Sequence, residues 1–249
     1  MQCLGWLTAR PIAHRGLHDI ASGIVENTAA AFEAAIAGNY GIECDVQISA
    51  NGEAMVHHDD ALGRLTEGSG RLDGLSAAEI QAARFKSGDA RIMTLSELCD
   101  LVRGRAALAV ELKSHFDGDS RIAMRAAQVL GTYRGPAAVM SFDPQLIEAV
   151  ATAAPGLPRG IVAERHYDDG EWAKLPPAAK RSLAFLLHAN RTRPHFIAYA
   201  VRDLPALAPL MARCLFRLPL LTWTVRSESD RDRANRFADQ MIFEGFRPR

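Results

Sequence analysis

The chain has 249 residues, of which 48% are hydrophobic and 23% are charged, and its 29 Lys and Arg balance its 29 Asp and Glu. This composition is typical of a globular protein with a sizeable core, and α/β barrels of this length often fold as one unit, so we predict a single domain over residues 1–249. The balanced charge provides no global field for nucleic acid or a membrane, which predicts no nucleic-acid partner and makes any anion binding local.

Apolar runs of β type alternate with amphipathic segments along the chain. The predicted strands are Pro11–His14, Gly41–Ile48, Ala106–Lys113, Ala137–Phe142, Arg159–Ala163, Phe196–Val201, Leu220–Val225 and Met241–Phe246. The predicted helices are Thr28–Ala37, Leu95–Val102, Arg121–Tyr133, Pro144–Ala153, Trp172–Leu187, Pro205–Phe216 and Asp230–Asp239. Alternating strands and helices predict parallel pairing, and eight strands predict closure into an α/β fold of the TIM (β/α)8 barrel type.

One segment departs from this alternation after the second predicted strand. Asn51-Gly52 is a strong hairpin signal, so we predict a small excursion over about residues 50–92. His57 and His58 lie on its return arm, and residues 66–70 form a turn within it.

Helix starts support this division. Thr94 with Glu97 and Ser76 with Glu79 have the spacing of capping boxes. Asn27 is a suitable N-cap for the helix that follows it.

The cysteines and the apolar segments bear on the compartment. The four cysteines are Cys3, Cys44, Cys99 and Cys214. Their scatter predicts reduced thiols in a cytoplasmic protein, and Met1–Arg10 lacks the apolar run of a signal peptide. The most apolar long stretch, Leu204–Leu221, contains Arg213, Arg217 and three prolines, so it is not predicted to span a membrane. It is either a barrel helix followed by a strand or a surface patch that touches lipid. The oligomeric state stays open, with a homo-oligomer among the alternatives.

Acidic residues collect at the predicted strand ends, where a barrel has its active site. Side chains two apart on a strand share a face, so Glu43 points the same way as Asp45, and Glu111 the same way as Lys113. An all-oxygen trio of Glu43, Asp45 and Glu111 suits Mg²⁺ or Ca²⁺ rather than zinc. The alternative is that these acids form salt bridges within the barrel.

Histidines and cations lie beside the acids. His14 ends the first strand, and together with His57 or His58 it provides two imidazoles that can exchange protons near neutral pH. Neighbouring residues of a strand point to opposite sides, so only one of the two later histidines faces the site, and periodicity does not choose between them. Arg15 can clamp a phosphate with its planar guanidinium, and Lys113 can add a point charge.

The order of these motifs is distinctive. They are Ile12-Ala13-His14-Arg15-Gly16, Glu26-Asn27-Thr28, Glu43-Cys44-Asp45-Val46, Asn51-Gly52, Val56-His57-His58-Asp59, Glu111-Leu112-Lys113, Ser141-Phe142-Asp143 and Thr222-Trp223-Thr224-Val225. The set spans nearly the whole chain and resembles the glycerophosphodiester phosphodiesterase family.

The resemblance implies a role for each site residue. It implies that His14 and His58 are the general acid and base, which sets His57 aside. The implied ligands of a divalent cation, Mg²⁺ or Ca²⁺, are Glu43, Asp45 and Glu111. It also implies that Arg15 and Lys113 contact the phosphate and that Trp223 forms an apolar wall against the glycerol portion. The implied reaction converts a small glycerophosphodiester into glycerol 3-phosphate and an alcohol.

Two positions near the C-terminus depart from the family's pattern. Arg226 stands where Asn is common, and Glu244 lies where the family commonly has an Asp-containing last strand. Arg226 either favours a more anionic substrate or pairs with Glu244. Two other functions stay open, a lipid phosphodiesterase of the lysophospholipase D or sphingomyelinase D kind and a non-catalytic barrel that binds phosphodiesters. A long apolar groove at the barrel mouth would favour the lipid enzyme.

Overall fold

Eight parallel strands close into a barrel in the computed structural model, which describes residues 4–168 and 170–248. The strands are β1 (Ile12–Ala13), β2 (Gly41–Ile48), β3 (Ala54–Val56), β4 (Leu108–Leu112), β5 (Ala137–Ser141), β6 (Arg159–Ala163), β7 (Phe196–Ala200), β8 (Leu220–Val225) and β9 (Gln240–Phe243). Strand β1 pairs with both β2 and β9, which closes the ring, and β3 is the antiparallel addition to β2. The predicted TIM barrel is confirmed.

Helices lie before the first strand and between the later ones, and most of them cover the outside of the barrel. They are α1 (Gly5–Thr8), α2 (Ala29–Ala37), α3 (Ala77–Ala82), α4 (Leu95–Val102), α5 (Arg121–Thr132), α6 (Pro144–Ala153), α7 (Pro177–Ala184), α8 (Ala189–Thr192), α9 (Leu207–Cys214) and α10 (Glu228–Phe237). Within the described residues, no helix is both long enough and apolar enough to cross a membrane.

The single helix predicted over Trp172–Leu187 is wrong. A 3-10 turn occupies Gly170–Lys174, and α7 begins only at Pro177. Pro176 and Pro177 explain the break, because proline lacks an N–H donor and disfavours helical geometry in the residue before it. Proline is well tolerated in a first helical turn, which is where Pro177 lies.

Successive residues of a strand point alternately toward the surrounding helices and into the barrel, so the apolar residues form two clusters. Cys44, Val46 and Val110 pack in the cluster that includes the surrounding helices. Ala109, Ala138, Met140, Val162, Ala198 and Leu221 belong to a second cluster, which fills the barrel interior. Both faces of each strand are therefore buried, as expected for a parallel sheet covered by helices.

The excursion after β2 is a hairpin followed by a small satellite core. Gly52 has a φ of 82°, the left-handed backbone that glycine adopts readily in the hairpin turn. The satellite core contains Val25, Met55, Leu72, Ile80, Phe85 and Ile92. Both predicted capping boxes form, at the starts of α3 and α4.

The described cysteines are free thiols, and the apolar C-terminal stretch forms a helix and a strand. Cys44 and Cys99 are buried free thiols, Cys214 is an exposed free thiol, and Cys3 lies outside the described residues. Leu204–Leu221 forms α9 and the start of β8, a barrel helix followed by a strand.

Candidate active site

Three carboxylates meet on the neighbouring strands β2 and β4, with Glu43 and Asp45 inside β2 and Glu111 next to the carboxyl end of β4. Asp45 of β2 lies opposite Glu111 of β4 in the parallel register. One oxygen from each of Glu43, Asp45 and Glu111 lies within 4.8 Å of the others, and all three side chains are buried. The structure therefore brings together the acids that the sequence predicts as a trio.

Burial and repulsion between the acids disfavour the charged form of Glu43 in this trio. Burial and then the neighbouring Asp45 and Glu111 raise the pKa of Glu43 well above its usual value. The Oε1 atom of Glu43 has no hydrogen-bond partner among the described residues. A buried carboxylate oxygen without a donor is costly, so the site suits an added cation.

Lys113 partly neutralises the trio. Its Nζ lies 3.0 Å from Asp45 Oδ1 and 2.7 Å from Glu111 Oε1. Burial alone would raise the pKa of Asp45, but the charges of Lys113, His58 and Arg15 outweigh it and hold that pKa well below its usual range. The salt-bridge alternative thus describes part of the cluster, and the Oε1 atom of Glu43 is the part that it leaves without a partner.

Arg15 lies across the trio, and Glu26 holds it there. The Nη1 atom of Arg15 donates to Glu26 at 2.8 Å, and its Nε lies 3.3 Å from Asp45. Glu26 also accepts from Arg64 at 2.7 Å, so it joins the loop after β1 to the excursion. The backbone N–H of Arg15 donates to Glu43 Oε2 at 2.8 Å. Glu26 therefore connects Arg15 with Arg64 of the excursion.

Two residues with positive φ shape the same loop. Gly16 has a φ of 78°, and a Cβ there would come within 2.9 Å of the Ala31 backbone. Asn27 has a φ of 55°, and its side chain donates to Asp45 Oδ2 at 3.0 Å. The prediction of Asn27 as a helix N-cap is wrong, because its carboxamide binds Asp45 and Thr28 precedes the helix instead.

The carboxylate of Glu244 contacts the His14 ring and fixes its orientation. Its Nδ1 lies 2.5 Å from Glu244 Oε2, and its Nε2 lies 4.0 Å from Glu43. Burial lowers the pKa of His14, against the opposing effect of the Glu244 carboxylate. Arg226 Nε donates to Glu244 at 2.8 Å, so the unusual arginine pairs with the unusual glutamate. The contact of His14 with Glu244 was not found by sequence reasoning; only closure of β1 onto β9 reveals it.

His58 faces an open cavity, whereas His57 does not. The cavity has a volume of about 670 Å³ and is lined by His58 and Lys113 among others. Nδ1 of His58 lies 2.8 Å from Asp59 Oδ1. His57 is buried and is absent from that lining. Geometry therefore places His58, the histidine that the resemblance implied, at the cavity.

Trp223 belongs to a row of aromatic side chains in contact with one another. Trp223 is partly buried and donates from Nε1 to the Ala198 carbonyl at 3.1 Å. Its ring meets Phe142 edge to face at 5.5 Å between centroids, and Phe142 in turn lies 4.7 Å from Trp172. Sequence reasoning found Trp223 alone; the Ser-Phe-Asp motif at the end of β5 was the available signal for Phe142.

The comparison with protein families agrees with this geometry. The model of the glycerophosphoryl diester phosphodiesterase family matches residues 14–245, nearly the whole chain. The chain belongs to this family.

Relatives of this glycerophosphodiester phosphodiesterase family member include two named proteins. YhdW of Bacillus subtilis, provisionally named a glycerophosphodiester phosphodiesterase, is 31% identical over 192 residues, which make up 73% of this chain and 76% of the relative. The glycerophosphodiester phosphodiesterase of Caldanaerobacter subterraneus is 38% identical over 111 residues, covering 41% of this chain and 44% of the relative.

Solved structures share the fold of this family member. A phosphodiesterase of Oleispira antarctica, in complex with the product sn-glycerol-3-phosphate, has a TM-score of 0.76 at 20% identity and covers 96% of this chain and 94% of its own. The glycerophosphodiester phosphodiesterase of Thermotoga maritima has a TM-score of 0.68 at 22% identity, with coverage of 93% and 92%. These likenesses concern the barrel as a whole.

Proposed function

We propose that the chain hydrolyses glycerophosphodiesters to glycerol 3-phosphate and an alcohol, with the help of a divalent cation. The observation that carries the proposal is the buried acidic trio, with a carboxylate oxygen that has no donor, beside two histidines and two cations. Membership of the family and the product named for the Oleispira antarctica structure support the same substrate class.

The acidic trio is the part of the site that fits a metal ion. Glu43, Asp45 and Glu111 would hold Mg²⁺ or Ca²⁺, because hard cations prefer carboxylate oxygens. The unpartnered Oε1 of Glu43 supports this assignment, and so does the raised pKa of that residue, because a cation would stabilise the charged carboxylate that burial and the other two acids disfavour. A bound cation draws charge from the phosphoryl oxygens and so favours attack on phosphorus.

His14 and His58 are the proposed proton carriers. In each ring a carboxylate contacts Nδ1, which leaves Nε2 to act. One imidazole accepts the proton of the nucleophile, either water or the neighbouring hydroxyl of the glycerol. The other donates a proton to the oxygen of the departing alcohol. The hydroxyl route forms a cyclic phosphate, which water then opens to glycerol 3-phosphate.

Arg15 and Lys113 are the proposed phosphate contacts, and Trp223 is the proposed wall against glycerol. Both cations are held among the carboxylates of the trio, so they are ordered before substrate arrives. Positioned charges of this kind stabilise the negative charge that develops on the phosphoryl oxygens in the transition state.

The mouth of the barrel favours a water-soluble diester over a lipid. Beside His58 and Lys113, most side chains that line the cavity are charged or polar, including Asp59, Asp60 and Lys174, and its two aromatic residues are Phe116 and Trp172. A lysolipid would need an apolar channel for its acyl chain at this place. The lipid-phosphodiesterase alternative is therefore the weaker of the two.

The deciding test is release of glycerol 3-phosphate from glycerophosphocholine by metal-stripped protein, with and without added Mg²⁺ or Ca²⁺. We expect release only with a cation. The same protein carrying His14→Ala controls for contaminating activity. Release from lysophosphatidylcholine alone would replace the proposal with the lipid enzyme, and tight binding of the diester without release would favour a binding barrel.

A further inference from the structure

An apolar groove lies on the outer flank of the barrel, between the connection formed by α7 and α8 and helix α9. Its volume is about 880 Å³. We call it the flank groove and define it by Phe185, Leu187, Leu207, Met211 and Phe216 on its walls. Ile197 at the start of β7 also lines it, so it approaches the amino ends of the strands rather than the barrel mouth.

The segment that forms the flank groove concentrates exposed apolar side chains, and five of them line the groove. Among the described residues, eight large apolar side chains are exposed, and six of them lie between residues 180 and 217. They include Leu207 at 74% exposure, Phe216 at 68% and Leu215 at 67%. Single exposed apolar residues are ordinary, but a contiguous group of this kind marks an interaction surface.

The same segment is strongly basic, although the chain as a whole is neutral. Residues 180–217 contain seven Lys or Arg and one acid, Asp203. Four of the cations have acidic partners, namely Lys180, Arg191, Arg202 and Arg213. The other three, Arg181, Arg193 and Arg217, are exposed and form no ion pair with the described carboxylates. Arg181 and Arg193 line the flank groove itself.

From this combination we propose that the flank groove docks on an anionic membrane surface. Apolar side chains that insert at the level of the lipid head groups, flanked by arginines that meet anionic lipids, are what holds a protein on such an interface. Because the net charge of the chain is zero, the attraction is local and orients the molecule with this flank toward the bilayer.

A second copy of the chain is the less favourable occupant. A two-fold dimer through this groove would bring two copies of the same basic patch into one interface, since such an interface uses one patch twice. Like charges brought together in an interface are unfavourable. A bilayer that contains anionic lipid has the complementary charge, and it also accepts the apolar side chains.

Docking by the flank would leave the candidate active site free. The acidic trio lies within β2 and near the carboxyl end of β4, whereas the groove involves the start of β7 and the segment before β8. The inference therefore goes beyond the proposed reaction and does not depend on it. A protein with no phosphodiesterase activity could still dock, and an active enzyme could fail to.

Flotation with lipid vesicles tests the proposal on the whole chain. We expect binding to vesicles of equal phosphatidylcholine and phosphatidylglycerol, little binding to phosphatidylcholine alone, and a loss of binding as salt rises. Equal binding to both vesicle types, or binding to neither, would overturn the proposal. In the second case an acidic protein partner would become the candidate for the groove.

Matched variants identify the surface. Replacing Arg181, Arg193 and Arg217 together with Gln should weaken binding roughly 100-fold, since each arginine near an anionic surface contributes about fivefold. The control removes three exposed arginines elsewhere, Arg84, Arg134 and Arg247, and should bind as wild type does. Equal loss in both triple variants would show nonspecific attraction and overturn the assignment to the groove.

A second pair of variants tests the apolar contribution. Replacing Leu215 and Phe216 with Ser should weaken binding about tenfold or more, and replacing Ile20 and Met124 with Ser should not. All four side chains are exposed, so thermal unfolding should be little changed. If sedimentation shows a wild-type dimer that the Leu215 and Phe216 variant loses, a second copy covers the groove and the membrane proposal fails.

Discussion

At the scale of single residues, the contact between His14 and Glu244 decides which imidazole nitrogen faces the acidic trio. The carboxylate lies at Nδ1, so Nε2 points toward Glu43. Arg226 holds the other oxygen of Glu244. Glu244 is therefore a positioning residue in the proposed mechanism, since it acts through the histidine rather than on the substrate.

Glu244→Gln should shift one limb of the pH–rate profile to lower pH. Burial already lowers the pKa of His14 below its usual value, and the Glu244 carboxylate opposes that fall. Removing the negative charge lets the pKa fall further. If His14 is the base, the acid limb moves; if it is the acid, the alkaline limb moves. We expect kcat to fall as well, and Arg226→Gln, which keeps the carboxylate, should shift the limb less. If the limb stays in place or moves to higher pH, Glu244 does not act on the reaction through His14.

His58→Ala should lower kcat by about 10²- to 10⁴-fold, the usual contribution of a general acid or base. His57→Ala provides the matched control, because it removes an imidazole one residue away that does not line the cavity. We expect His57→Ala to retain activity and to lose some stability, since that side chain is buried. A larger kinetic loss in His57→Ala than in His58→Ala would contradict the proposed roles.

Glu43→Gln should raise the metal concentration needed for half-maximal activity by tenfold or more, at the scale known for disturbed metal sites. The amide keeps the shape of the side chain and removes its charge. Glu53→Gln is the control, because Glu53 pairs with Arg125 away from the trio. Titration of metal-stripped protein with Mg²⁺ and Ca²⁺ measures the effect, and an unchanged metal requirement would remove Glu43 from the proposed ligand set.

Residue identity and spacing predicted that the acids lie close together. They did not predict the carboxylate that contacts His14. Glu43 and Asp45 share a face because strands have a period of two, and that rule needs no tertiary information. The partner of His14 lies 230 residues away and becomes visible only when β9 closes onto β1. At Asn27 the local sequence pattern predicted a helix cap, but the side chain forms a buried hydrogen bond with Asp45 instead.

At the scale of elements, the strands were the most predictable features and the segment after β6 the least. The bounds predicted for β2, β6 and β8 agree with the structure, since each is a run of apolar residues between turn signals. After β6, the apolar positions continue with helical spacing through two consecutive prolines. The covalent constraint of those prolines overrides the spacing and divides the segment.

Thr94→Ala should lower the free energy of unfolding by about 1 kcal/mol, the usual contribution of an N-cap. Thr94 accepts the N–H of Glu97, whose carboxylate accepts the N–H of Thr94 in return. Helix α4 buries Leu95 and Leu98 in the main core, so its start supports the barrel. Thr132→Ala is the control, because that threonine is exposed at the end of α5. Urea unfolding measures the change, and activity should persist; equal losses in the two variants would rule out a capping effect.

At the scale of the whole molecule, the net charge is zero although one part of the chain is strongly basic. Composition alone predicted no field for a membrane, and that holds for the sum of the charges. Residues 180–217 nevertheless carry seven cations against one acid, and the fold brings α7, α8 and α9 together on one flank. A sum over the chain cannot reveal this, because it does not record which cations are paired. Four of the seven contact an acid, whereas Arg181, Arg193 and Arg217 form no ion pair with the described carboxylates.

The stability of the whole chain should fall on the acid side of neutrality, in part through His188. This imidazole is buried at 2% exposure, and neither ring nitrogen has a hydrogen-bond partner among the described residues. Burial, with a smaller effect of Arg191, lowers the pKa of His188 to about 4. The unfolded chain then binds a proton more readily than the folded one below the usual histidine pKa of about 6.5, so folding weakens as pH falls from about 6.5 to 4.

His188→Leu should remove that part of the acid sensitivity. The change charges no buried group and breaks no hydrogen bond found in the structure, so the free energy of unfolding near pH 7 should change little. Between pH 7 and 4 the wild type should lose up to about 3 kcal/mol more than the variant, the equivalent of the shift in pKa. Urea unfolding at a series of pH values measures the difference, with the exposed His166→Leu as control. Parallel curves for wild type and His188→Leu would mean that the folded protein accommodates the charged ring, by admitting water or by moving the connection between α7 and α8.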